Sequence, residues 1–137
     1  MNKKENNFDF PKCLNDICDR NKFFEWLEKK AKAVYRRDRK RGYKVGTPRK
    51  YKYAIYNAII ASQGTDAYTG EKLRWDQIGE YNGNRSEFLD MPTIDHVNGP
   101  KGELNLAICS WRVNDAKNDL SVEDFKKLCQ KVLDHKK

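Results

Sequence analysis

The chain has 137 residues, 38% of them apolar and 35% charged, which suits one domain of ordinary size with a core of its own. An aromatic content of 12% argues against a wholly disordered chain. No unbroken apolar run exceeds four residues, as at 58–61, so nothing is long enough to span a bilayer, and the first ten residues lack the hydrophobic stretch of a secretory signal. The expectation is a soluble, cytoplasmic protein with no membrane partner. The net charge is +8, but residues 29–52 hold 12 Lys or Arg and a single acid, Asp38, so this segment alone carries +11. Charge concentrated over so short a stretch is a directed field, and a polyanion is its natural partner. Lys32, Arg36, Arg37, Arg39, Lys40, Arg41, Lys44, Arg49 and Lys50 are the expected contacts to a nucleic-acid backbone, with Tyr35, Tyr43, Tyr51 and Tyr53 interleaved.

In chain order, residues 1–20 read as a polar lead-in. A helix is expected from Asn21, a good N-cap type, with Phe23, Trp26 or Leu27, Lys30 or Ala31, and Val34 on one face. Gly42, Gly46 and Pro48 make 42–48 a connector, and a second helix fits 49–63, with Tyr53, Tyr56, Ile59 and Ile60 inward and Gly64 as its stop. Residues 67–73 suit a tight loop or hairpin around Thr69-Gly70. Residues 76–90 read as a polar loop of little core value. Strands are expected at 91–97, ended by Asn98-Gly99-Pro100, and at 104–109. A helix at 110–119 follows. A last helix begins near Ser121, with Phe125, Leu128, Cys129, Val132 and Leu133 as its apolar stripe. Cys109 and Cys129 read as core residues. Cys13 and Cys18 are near enough in sequence to pair or share a metal, but no CxxC is present and there are only two histidines, so zinc-finger spacing is absent.

The segment 94–117 brings together residue types that suit one chemistry. Asp95 and an Asn amide oxygen are hard donors for a divalent cation such as Mg²⁺. A neutral His96 can take a proton from water, and Lys117 can offset phosphate charge. That is a kit for metal-assisted phosphodiester hydrolysis. Neighbouring strand residues point to opposite faces, so for Asp95 and His96 to serve one site the strand must end or twist there. His135 has no partner pattern.

Asp95-His96-Val97, Asn105-Leu106 and Asn114-Asp115-Ala116-Lys117, preceded by the turn Tyr68-Thr69-Gly70-Glu71-Lys72-Leu73, resemble the motif of the HNH endonucleases. The resemblance covers about residues 65–125. It implies a ββα-metal fold in which Asp95 and Asn114 bind one cation, His96 is the general base and Asn105 braces the loop and orients the histidine. Asn118, four residues after Asn114, is the alternative ligand, and Lys117 is a possible metal or phosphate contact. The metal would stabilise the leaving 3′-oxygen, giving a 5′-phosphate. Mg²⁺ is expected, with Mn²⁺ the other candidate. The paired CxxC motifs of many members are missing, so no structural zinc is expected, and Tyr68, Leu73, Trp75, Ile94, Leu106, Ile108 and Trp111 are the candidate core. The resulting expectation is an α+β chain with an N-terminal helical basic region (1–63) and a ββα-metal (HNH) core closed by a C-terminal helix (64–137). It would cut DNA, acting as a homodimer if both strands are cut. The alternative is an HNH-fold DNA-binding or regulatory protein without catalysis.

Overall fold

The computed structural model describes residues 8–99 and 103–135. Pro100, expected to help end the first strand, and the first seven residues of the lead-in lie outside them. The fold is α+β, with helices α1 (Arg20–Lys40), α2 (Pro48–Ser62), α3 (Trp111–Lys117) and α4 (Val122–Asp134), and strands β1 (Pro92–His96) and β2 (Leu106–Ser110). The two strands form an antiparallel sheet in the register Pro92↔Ser110 to His96↔Leu106.

Local chemistry accounts for the helix ends. Asp19, Thr47, Ser110 and Ser121 each accept a hydrogen bond from the backbone N–H three residues on, supplying a partner for a donor that the first turn leaves unpaired. The α1 cap is therefore Asp19 rather than Asn21. Pro48 opens α2, where its missing N–H costs nothing. Gln63 closes α2 in the left-handed conformation, followed by Gly64 at φ +77°.

Helix α1 packs on α2, α2 on β2, and α3 on both strands. One hydrophobic cluster runs through these elements, from Phe23, Leu27 and Val34 on α1 to Ile55 and Ile59 on α2, Ile94 on β1 and Ile108 on β2. Several expectations change here. The lead-in contributes buried Phe8 and Leu14, and the loop 76–90 contributes Ile78 and Phe88, while Trp75 is buried as expected. Trp75 donates its indole N–H to the Gly64 carbonyl at 2.8 Å, so the loop is stitched to the end of α2. On α2 the inward stripe is Tyr51, Ile55 and Ile59, whereas Tyr53 and Ile60 are exposed. Phe8 is what half-covers the other side, lying 4.7 Å and 4.8 Å from the rings of Tyr53 and Tyr56. Helix α4 buries none of its residues, and Cys129 is exposed where a core position was expected. Cys109 is buried. Cys13 and Cys18 are both free, and burial, with Asp19 and Cys13 adding to it, pushes the Cys18 thiol up to about 11.

Two tight segments hold the hairpin in position. The first is the turn bridged at Thr65↔Lys72, centred on Asp66. The buried Asp66 carboxylate accepts from Tyr68 N at 2.8 Å, Thr69 N at 3.1 Å and Ser110 N at 2.8 Å, tying the turn to the end of β2. The second is 97–99, where Gly99 takes φ +80° and a Cβ would stand 3.0 Å from the Asp119 carbonyl oxygen. Only glycine allows this approach, which sets the stretch after α3 against the end of β1.

Removing the Asp66 carboxylate strands three backbone donors. Asp66→Ala is expected to lose about 3 kcal/mol or more of unfolding free energy, measured as a lower urea midpoint at unchanged slope. Thiol labelling at pH 8 should modify Cys129 in the native protein and reach Cys109 only after denaturation.

Candidate active-site cleft

The single acid of the basic segment lies inside the protein. On α1 the stripe Leu27, Ala31, Val34 reaches Asp38 at its next helical step, so a carboxylate stands where the pattern calls for an apolar side chain, and it is 1% exposed. Its Oδ1 is 3.0 Å from Nε2 of His96, the last residue of β1, and its Oδ2 accepts from the Tyr51 hydroxyl on α2 at 2.6 Å. An ionised carboxylate only accepts, so this contact favours a hydrogen on Nε2, and the tautomer that carries it there has its lone pair at Nδ1. Burial, then the bond to Asp38, raises the Tyr51 phenol well above its usual range, so it remains a donor.

A second buried carboxylate precedes it. Asp95 Oδ2 accepts from the Tyr68 hydroxyl at 2.5 Å and lies 2.9 Å from Nζ of Lys117 on α3. Lys117 is 0% exposed. Besides Asp95, its ammonium donates to the carbonyls of His96, at 2.9 Å, and Leu120. These three acceptors fill its three donors. The expected phosphate or metal contact at Lys117 thus gives way to an internal role, supporting the end of β1 and the turn after α3. Burial, then Asp95, raises the Tyr68 phenol, which stays protonated. No hydrogen bond is recorded at Asp95 Oδ1 among the described residues.

Asp95 and His96 nevertheless face one cleft of about 310 Å³. Strand β1 stops at His96, as a shared site demands, and the imidazole turns to α1 while Asp95 is held by Tyr68 and Lys117. Arg37 and Arg41 line the cleft from α1, and Asn114 and Asn118 line it from α3 and its C-cap. Asp115 and Asp119 complete the polar wall, paired with Arg85 and, at 4.0 Å, with Arg41. Asn105 is not in this wall. It is exposed, its carbonyl accepts from Val97 N at 3.0 Å, and its side chain makes no hydrogen bond among the described residues. The part expected of Asn105, orienting the histidine, is taken by Asp38.

The residues lining the cleft carry oxygen donors rather than soft ligands: the Asp95 carboxylate and the side-chain amides of Asn114 and Asn118. Among the described residues no three His, Cys, Asp or Glu side chains are grouped so that they could hold a metal ion. One carboxylate with amide oxygens and water suits a hard cation such as Mg²⁺. The nine expected nucleic-acid contacts, Lys32, Arg36, Arg37, Arg39, Lys40, Arg41, Lys44, Arg49 and Lys50, are all exposed, and only Arg37 and Arg41 of them enter the cleft. Tyr51, counted with the interleaved tyrosines, is instead buried on Asp38. Sequence reasoning missed Asp38 and Tyr68. The available signal was an isolated acid in a strongly basic helix, in phase with its apolar face. Compared with known protein families, curated proteins and solved structures, the chain matches none. Nor is any helix among the described residues long and apolar enough to cross a membrane.

The Lys117 ammonium and the Asp95 carboxylate neutralise each other in the interior. Lys117→Met is expected to destabilise the protein by about 3–5 kcal/mol by leaving a buried charge without its partner. Adding Asp95→Asn should recover part of that loss, and the coupling can be read by a double-mutant cycle in urea.

Proposed function

We propose that the chain is a metal-dependent endonuclease of the HNH type acting on DNA, with β1, β2 and α3 as its ββα-metal core. The observation that carries this reading is the buried Asp38–His96 pair, 3.0 Å apart, opening on a cleft that also holds Asp95, Asn114, Arg37 and Arg41. An imidazole whose Nε2–H is fixed by a carboxylate keeps Nδ1 as a base of defined direction. His96 accepts a proton from the attacking water at Nδ1, and Asp38 stabilises the imidazolium that results. Arg37 and Arg41 draw the phosphodiester into the cleft and bind its non-bridging oxygens, while the remaining cations of α1 and of the connector hold the flanking backbone. Asp95 and Asn114 would hold one divalent cation, Mg²⁺ or Mn²⁺, with Asn118 the alternative to Asn114. Such a cation, when bound, polarises the phosphoryl group and offsets charge on the leaving 3′-oxygen. Tyr68 and Lys117 both hold Oδ2 of Asp95, which leaves Oδ1 as the oxygen for a cation.

A second reading, a DNA-binding protein on this scaffold without catalysis, is favoured by one observation. The Lys117 ammonium 2.9 Å from Asp95 opposes the approach of another cation.

Incubation with supercoiled plasmid separates the two. The nuclease reading expects nicking or linearisation with Mg²⁺ or Mn²⁺, abolished by EDTA and by His96→Ala while DNA binding persists. Binding without cutting in either metal, alike for wild type and variant, selects the second reading. Asp38→Asn, which keeps the size but puts an amide against Nε2, is expected to slow cleavage by roughly a hundredfold or more through loss of ring orientation, with plasmid affinity unchanged.

A further inference from the structure

We infer that the face formed by Tyr81, Arg85 and Trp111 is a stacking site for an unpaired nucleobase of the strand held in the cleft. The inference rests on the nucleic-acid reading above and adds the state of the strand that the protein prefers. Tyr81 is 49% exposed, whereas Trp75 before it and Phe88 after it are buried. Its ring stands edge-on to Trp111, with centroids 5.0 Å apart, and the Arg85 guanidinium lies 5.1 Å from the centroid of the same indole. The exposed Tyr81 ring beside a part-exposed indole that carries a guanidinium is the kind of aromatic and cationic surface on which bases stack.

The position of this face selects its ligand. Trp111 opens α3, and Asp115, one helical turn later on the same side, lines the cleft. Arg85 joins the two features, pairing with Asp115 while it rests against Trp111. One turn of helix rises about 5 Å, comparable to the step between a phosphate and the base it carries. Trp111 thus stands one helical turn from a residue of the cleft wall, and a base next to the bound phosphate is its ligand. In a continuous duplex that base is occupied by its own stack and pair. The face can be used only where a nucleotide is unpaired, at a gap, a bulge, a mismatch or in single-stranded DNA.

The other two tryptophans, Trp26 and Trp75, are buried, so indole fluorescence changes on binding read Trp111. The test titrates the full chain in EDTA with three oligonucleotides of equal length: a single strand, a perfect duplex and a duplex carrying one unpaired nucleotide. The single strand and the interrupted duplex are expected to quench the emission and the perfect duplex to leave it nearly unchanged. Trp111→Phe, which keeps a ring in place, should bind without the quench. Tyr81→Ala, a change at an exposed loop residue, should weaken binding of the unpaired substrates roughly tenfold and leave the perfect duplex unaffected. Equal binding of all three, without quenching and without effect of Tyr81→Ala, overturns the stacking site and leaves the nucleic-acid reading standing. Absence of binding to any of them overturns both.

Discussion

The arrangement depends on one buried carboxylate. Asp38 receives the Tyr51 hydroxyl from α2 and the His96 ring from β1, so a single side chain on α1 joins three elements. An ionised group taken out of water costs several kcal/mol unless its lone pairs are filled. Here a phenol and an imidazole each bond one of its two oxygens, a bond to a charged acceptor being worth about 1.5–3 kcal/mol. The same contact aligns α1 with the cleft. Arg37 precedes Asp38 and Arg41 follows it by three residues, so fixing Asp38 on the hairpin brings both guanidinium groups to the wall. The basic helix and the hairpin histidine are thereby parts of one site.

Lys117 does for the other end of the cleft what Asp38 does for the near one. A fully buried ammonium survives because it meets a carboxylate and two carbonyls. It fixes Asp95, the end of β1 and the turn leaving α3 at once. Rigidity here has an electrostatic consequence. The ammonium that positions Asp95 also reduces the negative field the carboxylate offers to a cation, while Asp115 and Asp119 at the wall restore part of it. The field in the cleft and the stability of the hairpin are therefore set by the same few charges.

Much of the framework was legible because it is local. Ser121 with its hydrogen bond to Asp124 N, Pro48 at the start of α2, and the strand propensity of Pro92–His96 and Leu106–Ser110 each act within a few residues, and the elements lie close to where these signals put them. The inward face of α2 was misread by part of a turn because its aromatic and aliphatic residues run almost all round the helix. Which of them is core depended on α1 and β2, and on Phe8 covering Tyr53 and Tyr56. The loop after residue 73 looked polar because its composition is. Its buried residues between 76 and 90, Ile78 and Phe88, are too widely spaced to form a periodic pattern.

The sequence by itself determined the succession of helices, hairpin and helix, the concentration of positive charge on one segment, and the grouping of Asp95, His96 and Asn114 within a short stretch. Periodicity, capping and charge count are properties of neighbouring residues, so they survive without coordinates. Only the tertiary structure decided that Asp38, 58 residues away, and not Asn105, holds the His96 ring. It also decided that Lys117 is spent inside and that two of the many exposed arginines reach the cleft. Such pairings arise when distant segments are packed together and each buried charge must find a partner, a condition that no local pattern encodes.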